Sequence, residues 1–286
     1  MNLKVIEIIK KIEHFFYPQI GKVFMLHRVT NEISLIGHNR LYEVTPAFLE
    51  QTILEYQSHG YRFVSIQEVA DMVCRGVFPK EKFICFTLDD GYLDNYLYAY
   101  PIFKKYQVPF CIYVSTGLVE GTALPWPYML EKIVLCSLSG EKEQLFCRMR
   151  ECICRMDVLE QLVWLKEHGY EGTVPQVMMG KEEIVALSKD SLCTIGCHTV
   201  SHCFLTEKVQ SDIYKEIMEC KICLENMIGK EVTHFAYPYG DYDDEVKQAV
   251  GELGFYSATT TSGMPIRKTI KSVFEIPRVT LIQFPL

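Results

Sequence analysis

The sequence predicts an α/β fold built on a parallel sheet, and three observations predict it. Short apolar runs of strand length recur along the chain, segments of helical periodicity separate them, and polar residues capable of chemistry fall just after several of the runs. Alternation of this kind implies βαβ units. Barrels built from such units routinely reach 286 residues as one domain, so a single domain over residues 1–286 is expected.

The elements follow in order. Residues 3–16 place Leu3, Ile6, Ile9, Ile12 and Phe16 on one helical face. Val23–Leu26 reads as a buried strand ending at His27. Thr45 before Pro46 starts a helix that runs to about Gly60, with proline where its missing N–H costs nothing. Ser65 and Glu68 have capping-box spacing. Phe83–Leu88 is the next strand, with Asp89-Asp90-Gly91 at its C-terminal end, and a helix ending near Tyr106 leads to the strand Phe110–Ser115. Further strands are predicted at Cys193–Cys197, His234–Tyr237, Phe255–Thr259 and Phe274–Ile276, with helices from Ser211 to about Ile228 and near Asp243–Leu253. Residues 118–190 break the rhythm and read as a mostly helical insertion or lid.

Composition narrows the function. Hydrophobic residues are 49% and charged residues 23%, ordinary for a soluble globular protein. The net charge of −7 comes with no lysine or arginine patch to displace counterions, so a nucleic-acid partner is excluded. Lys4, Glu7, Lys10, Lys11 and Glu13 interrupt the N-terminal apolar residues, which argues against a signal peptide. No run of about 18 apolar residues suggests a membrane span. The expected location is therefore cytoplasmic, with most of the twelve cysteines reduced and filling the core. The apolar face of residues 1–16, with its lysines, offers a peripheral membrane contact; packing across the barrel bottom is the plainer reading.

In parallel barrels the reacting groups gather at the C-terminal ends of strands. His27, Asp89-Asp90, His198 and Pro238-Tyr239-Gly240 all fall there. Two histidines four apart, in His198-Thr199-Val200-Ser201-His202, can reach one cation as a strand runs into a loop; two unrelated polar loop residues are the bland alternative. Cys197 and Cys203 flank the pair, but strand alternation turns Cys197 away from the face of His198, which disfavours a structural zinc site. Adjacent acids such as Asp89 and Asp90 often serve a turn or a helix cap. Metal-assisted hydrolysis asks for such a pair, one carboxylate completing a histidine–histidine–carboxylate set and the other left free as base.

These segments resemble the polysaccharide deacetylase family, of the carbohydrate esterase family 4 type. Thr87-Leu88-Asp89-Asp90-Gly91 is similar to its TFDDG motif, His198 to His202 to its metal-binding H-[ST]-x-x-[HC] motif, and Phe235-Ala236-Tyr237-Pro238-Tyr239-Gly240 to its third motif. The resemblance runs from about Gly21 to Arg278 and is loose over 118–190. It implies a distorted parallel (β/α)7-type barrel and one divalent metal, with zinc the default and cobalt or nickel suited to the same ligands. It further implies Asp90, His198 and His202 as metal ligands, Asp89 as base, and the Tyr239 N–H, after Pro238, as a donor to the oxyanion. The implied reaction is hydrolysis of an N-acetyl group on an amino sugar, in a cytoplasmic polysaccharide or glycolipid precursor, with a lipid-linked saccharide among the substrates that fit.

The chain departs from the family in two places. Ala236 stands where the third motif often has arginine, and no histidine follows His234, so the late LxxH motif with its general acid is absent. Phe24-Met25-Leu26-His27-Arg28-Val29 resembles the N-terminal segment of exopolysaccharide-type deacetylases, in which an early strand supplies that histidine. His27 is then the candidate acid, and Arg278 the candidate replacement for the missing arginine, through a hydrogen bond to Asp89; a rim histidine and a surface salt bridge are the ordinary alternatives. Trp126 offers a face for a sugar ring or simply core packing. Two rivals stay open: another amide or imide hydrolase on the same scaffold, and a non-catalytic carbohydrate-binding relative.

Overall fold

The computed structural model describes residues 19–284. The helix expected over residues 3–16, and the membrane contact attached to it, lie outside the described residues. Eleven strands are present: β1 Gln19–Leu26, β2 Arg28–Val29, β3 Glu43–Val44, β4 Arg62–Phe63, β5 Phe83–Leu88, β6 Phe110–Val114, β7 Cys193–Cys197, β8 His234–Ala236, β9 Ser257–Thr259, β10 Ile266–Arg267 and β11 Val279–Thr280. Nine of them form one curled sheet in the order β10-β1-β5-β6-β7-β8-β9, with β11 also on β1 and β4 also on β5. Every pairing is parallel except β1 with β10.

The end of the chain closes the barrel. Ile276 bridges Thr259 on β9, while Val279 and Thr280 pair with Phe24 and Met25 on β1. The strand expected at Phe274–Ile276 is thus displaced to Val279–Thr280. Pro277 carries no N–H, so a regular ladder cannot run through it, and the chain shifts from one neighbouring strand to the other at that residue. The other predicted strands agree within a few residues, and β1 begins four residues earlier than Val23.

Alternation divides the strand residues between two cores. Phe24, Leu26, Ile84, Phe86, Leu88, Phe110, Ile112 and Val114 face the outer helices. Val23, Phe83, Cys85, Cys111, Tyr113, Ala236 and Ile276 fill the other core. That space is narrow, and two glycines make it usable: a Cβ on Gly21 would lie 2.4 Å from the Phe83 ring, and one on Gly196 would lie 2.4 Å from the Tyr113 ring. Only hydrogen at these positions admits the two aromatics.

The helices that wrap the sheet begin where the sequence marks them. Thr45 caps α2 (Pro46–Ser58), following the short α1 (Gly37–Arg40), and Ser65 with Glu68 makes the capping box of α3 (Ile66–Arg75). A π-helical turn, Asn95–Ala99, enters α4 (Tyr100–Tyr106). Five helices lie between β6 and β7: α5 Thr116–Glu120, α6 Trp126–Cys136, α7 Lys142–Ile153, α8 Val158–Glu167 and α9 Lys181–Ser188. The middle three pack on a core of their own that includes Trp126, Leu130, Phe146 and Leu165. Then come α10 (Gln210–Ile228) and α11 (Asp244–Glu252), the latter capped by Asp243. All twelve cysteines are unpaired thiols, and six of them are buried rather than most, because Cys136, Cys147 and Cys152 fall on solvent faces of α6 and α7 and Cys74 on α3. Among the described residues no helix is long and apolar enough to cross a membrane.

His234 opens β8 at the end opposite the strand termini, buried against the Ser257 hydroxyl 2.8 Å from Nδ1. Burial lowers its pKa to about 4. The unfolded chain therefore binds the extra proton first, and this contribution to stability is complete above about pH 6.5 and is lost as pH falls toward 4. Between pH 7 and 5 the loss should be about 2 kcal/mol. Urea unfolding of wild type and His234→Gln at both pH values measures it: the pH-dependent difference should shrink by that amount in the variant, and equal pH dependence would contradict the assignment.

Candidate metal centre and active site

Strand ends position the polar groups. The ladder of β5 on β1 continues for one residue, the Asp89 N–H donating to Leu26 O at 2.9 Å; beside it the His198 N–H donates to Val114 O at 3.0 Å. Beyond those bonds the backbone turns sharply. Asp90, Thr199, His202 and Tyr239 have φ of 73°, 65°, 53° and 59°, a left-handed conformation that residues other than glycine rarely adopt. Four such residues around one point mark a functional site, where surrounding contacts hold the strain.

Those contacts are specific. Glu216 on α10 accepts from the N–H groups of Val200 (3.0 Å) and Ser201 (2.9 Å) and from the Ser201 hydroxyl (2.7 Å). The Ser115 hydroxyl donates to His198 O, and the His202 N–H donates to Thr199 Oγ1. The loop between the histidines is therefore tied at nearly every residue.

Asp90, His198 and His202 each bring one ligand atom within 4.8 Å of the others. His198 Nε2 lies 3.5 Å and His202 Nε2 3.3 Å from Asp90 Oδ1. A hydrogen bond of 2.8 Å to the Ala236 carbonyl assigns the proton of His198 to Nδ1 and leaves Nε2 with its lone pair outward, the usual arrangement behind a metal-bound imidazole. Burial lowers the pKa of both histidines to about 4, so both are neutral at pH 7. Asp90 Oδ1 is buried without a hydrogen-bond partner, and burial raises the pKa of the group. An orphaned carboxylate oxygen facing two outward imidazole nitrogens fits a divalent cation with nitrogen and oxygen ligands.

Asp89 points elsewhere. Arg278, fully buried, donates from Nη1 to Oδ1 (2.6 Å) and from Nη2 to Oδ2 (2.8 Å), from Nη1 to Thr87 Oγ1, and from Nε to Thr260 O. Burial pushes the Asp89 pKa up, but the guanidinium charge outweighs it and holds the carboxyl down at about 2.

The remaining candidates line one cavity of about 530 Å³ with the metal cluster: His27, Trp126 and Tyr239. His27 Nδ1 is buried and has no hydrogen-bond partner; Asn95 Nδ2 donates to its carbonyl at 2.8 Å, and its ring packs 4.7 Å from that of Tyr42. Tyr239 lies against His202 (4.6 Å) and stacks on Phe204 (4.0 Å, 5°). In its turn the N–H groups of Gly240 and Asp241 donate to Tyr237 O and Pro238 O, while that of Tyr239 makes no such bond among the described residues. Pro238 is buried at the turn's start, and Trp126 is buried in the helical core with one edge on the cavity. The sequence reading passed over Ala236 as the acceptor for His198, Glu216 as the loop clamp, and Asn95. The first two act through a carbonyl and from a distant helix, neither of which leaves a side-chain pattern; Asn95 sits at the π turn, which has no sequence signature.

Stability in the presence of metal tests the cluster. Zinc added to chelator-stripped protein should raise the thermal midpoint, by the equivalent of about 2.7 kcal/mol at a free concentration one hundred times Kd. Asp90→Asn should remove the rise and leave the stripped protein at least as stable as its parent, because it relieves an unpartnered buried carboxylate. No shift with zinc, cobalt or nickel would rule the cluster out as a metal site.

Comparison with known proteins identifies the family. The profile of the family described as polysaccharide deacetylase matches residues 77–258. YxkH of Bacillus subtilis (strain 168) is 23% identical over 239 residues, covering 84% of this chain and 63% of that protein. A poly-β-1,6-N-acetyl-D-glucosamine N-deacetylase of Staphylococcus aureus is 30% identical over 105 residues, 36% of this chain and 35% of that enzyme. The matched part thus spans less than two thirds of either relative. Among solved structures, IcaB from Ammonifex degensii superposes with a TM-score of 0.66 at 20% identity over 93% of both chains. The deacetylase PplD of Streptococcus pyogenes, solved with acetate, gives 0.61 at 21% identity over 91% of this chain and 92% of that one. At these identities the likeness is one of fold. The matched segment covers more than half of the chain and holds Asp89, Asp90, His198, His202 and Tyr239, with His27 and Arg278 flanking it, and the chain belongs to the polysaccharide deacetylase family.

Proposed function

We propose that this protein is a metal-dependent hydrolase that removes the N-acetyl group from an amino sugar of a polysaccharide or of its glycolipid precursor. The observation that carries the reading is a division of labour between neighbours: Asp90 faces two imidazoles while Asp89, clamped by Arg278, stays outside that cluster. The name of the staphylococcal relative fits the same reaction.

Asp90, His198 and His202 would hold the cation, zinc by default. The chemistry supplied by a divalent cation at this position is Lewis acidity toward water and toward the acetamide carbonyl. The protein does the rest. Asp89, ionised throughout the working pH range, accepts the proton of the attacking water, and the two bonds from Arg278 fix its plane. The Tyr239 N–H, held at the rim by a strained turn, donates to the developing oxyanion. His27 protonates the leaving nitrogen from the strand that ends beside β5. Trp126 presents an edge to the sugar.

Acetate release from N-acetylglucosamine oligomers by the zinc-loaded protein tests the reaction; no release across neutral and charged N-acetylated saccharides would refute it. His27→Ala should keep its metal and lose about 10²–10⁴-fold in turnover. Wild-type turnover in that variant would move the acid elsewhere.

Arg278 sets a second expectation. With Asp89 at about 2, its protonation contributes no acidic limb to kcat/KM in the neutral range. Arg278→Lys breaks the fork, so burial is less opposed and the Asp89 pKa rises. The acidic limb should move to higher pH, and an unshifted profile would separate Arg278 from the base.

A further inference from the structure

The cavity has a second charged wall, built by the helical layer between β6 and β7 and by the loop after β2. Two arginines reach it from this layer, Arg150 on α7 and Arg155 just beyond its end. Arg155 is neutralised, its Nε 2.7 Å from Glu207 Oε1, and its guanidinium covers Phe204 at 4.9 Å. Arg150 is half-buried and makes no ion pair or side-chain hydrogen bond among the described residues. Glu143, two helical turns away, is engaged by the Gly37 N–H. Glu151 also borders the cavity, but it is exposed and forms no ion pair with Arg150 among the described residues.

Arg150 does not stand alone. His38 of α1 borders the same cavity, its ring 5.6 Å from Phe146 and 6.0 Å from Tyr42. Burial first, and then the Arg150 charge, disfavour protonation of His38, against the opposing charge of Glu143, and His38 and Arg150 line the same cavity. Tyr239 lines the same cavity, its ring 4.6 Å from that of the candidate ligand His202. The unpaired guanidinium and the metal cluster therefore open on one cavity. A half-buried guanidinium keeps five N–H donors that call for acceptors, and an anion placed here would supply them.

We infer that Arg150 and His38 form a subsite for an oxyanion carried by the substrate, a phosphoryl or carboxylate group on the N-acetylated saccharide next to the acetamide that is cleaved. The inference rests on the deacetylase reading for its substrate but has a readout of its own, since binding can be measured without turnover. A planar guanidinium matches the two oxygens of either group, so the chemistry is shared and the probe distinguishes the source.

Two measurements on the zinc-loaded full chain decide it. Calorimetric binding of N-acetylglucosamine 1-phosphate, of N-acetylmuramic acid and of the neutral methyl glycoside of N-acetylglucosamine should give at least tenfold tighter binding for one or both anions. Whichever anion gains identifies the group. Arg150→Gln should weaken that anion by about 10- to 100-fold, the span of one charge-assisted contact, and leave the neutral glycoside within about twofold. Arg150→Lys should fall between, and Arg148→Gln, an exposed cation of the same helix, should match wild type. Acetate release from the same three compounds should show the preference in KM rather than kcat. Equal binding of anionic and neutral compounds by wild type, or an equal loss for all three in Arg150→Gln, overturns the subsite even if acetate is released. Conversely, a binding preference erased by Arg150→Gln, without acetate release from these compounds or from the N-acetylglucosamine oligomers, sustains the subsite and removes the deacetylase reading.

Discussion

The buried fork between Arg278 and Asp89 is the contact on which the rest of the site depends. It joins residues 189 apart, and it does so in the part of the molecule where an unpaired charge costs most. Arg278 lies in the segment that passes from β9 to β1, so the guanidinium closes the barrel and aims the carboxylate at once. Its other donors go to Thr87 and Thr260, which belong to β5 and to the residue after β9. A pair of this kind is a weak source of stability against a well-packed apolar alternative. Here its effect is orientation and ionisation: Asp89 is held charged, in one plane, beside a neighbour that faces the other way.

Two acids in adjacent positions can diverge only if the backbone between them bends, and the left-handed φ of Asp90 provides the bend. The same device recurs at Thr199, His202 and Tyr239. Each costs conformational energy, and contacts from different elements hold these residues or their chain neighbours: Glu216 of α10 on Val200 and Ser201, the Ser115 hydroxyl after β6 on His198, the Phe204 ring on Tyr239. The metal cluster is thus specified less by its three ligands than by the elements that force their backbones into place.

On the opposite side a buried polar network fixes the loops that carry His27 and His38. Arg28 is paired with Asp94 at 2.6 Å and lies over the rings of Tyr128 (4.7 Å) and Tyr92 (5.4 Å), while Asp94 also accepts the Val29 N–H. Glu131 on α6 accepts from Ser34 Oγ, the Leu35 N–H and Asn39 Nδ2. Through these bonds the helical layer and the loop after β2 become one wall. The cavity is accordingly made of two parts with different chemistry, a strand-end rim that carries the reacting groups and a helical wall that carries an unpaired guanidinium.

The sequence by itself determined the parallel α/β architecture, most strand and helix positions, and the residue types of the site. Those features are local: period-2 and period-3.6 patterns, capping residues, and short motifs at strand ends survive in a one-dimensional reading because each depends on neighbours a few residues away. Asp89, Asp90, His198 and His202 were legible for that reason, and the fold brings them to one rim. Only the tertiary structure decided the displaced last strand, where Pro277 interrupts one ladder and the chain transfers to another. It alone decided that half of the cysteines stay out of the core, that a main-chain carbonyl of Ala236 orients His198, and that the expected bond of Arg278 to Asp89 is a fully buried two-point fork rather than a surface salt bridge. Arg150 was invisible for the same reason. A single arginine on an amphipathic helix has no distinguishing pattern, and its meaning arises from what surrounds it, a cavity wall on which no carboxylate pairs with it among the described residues.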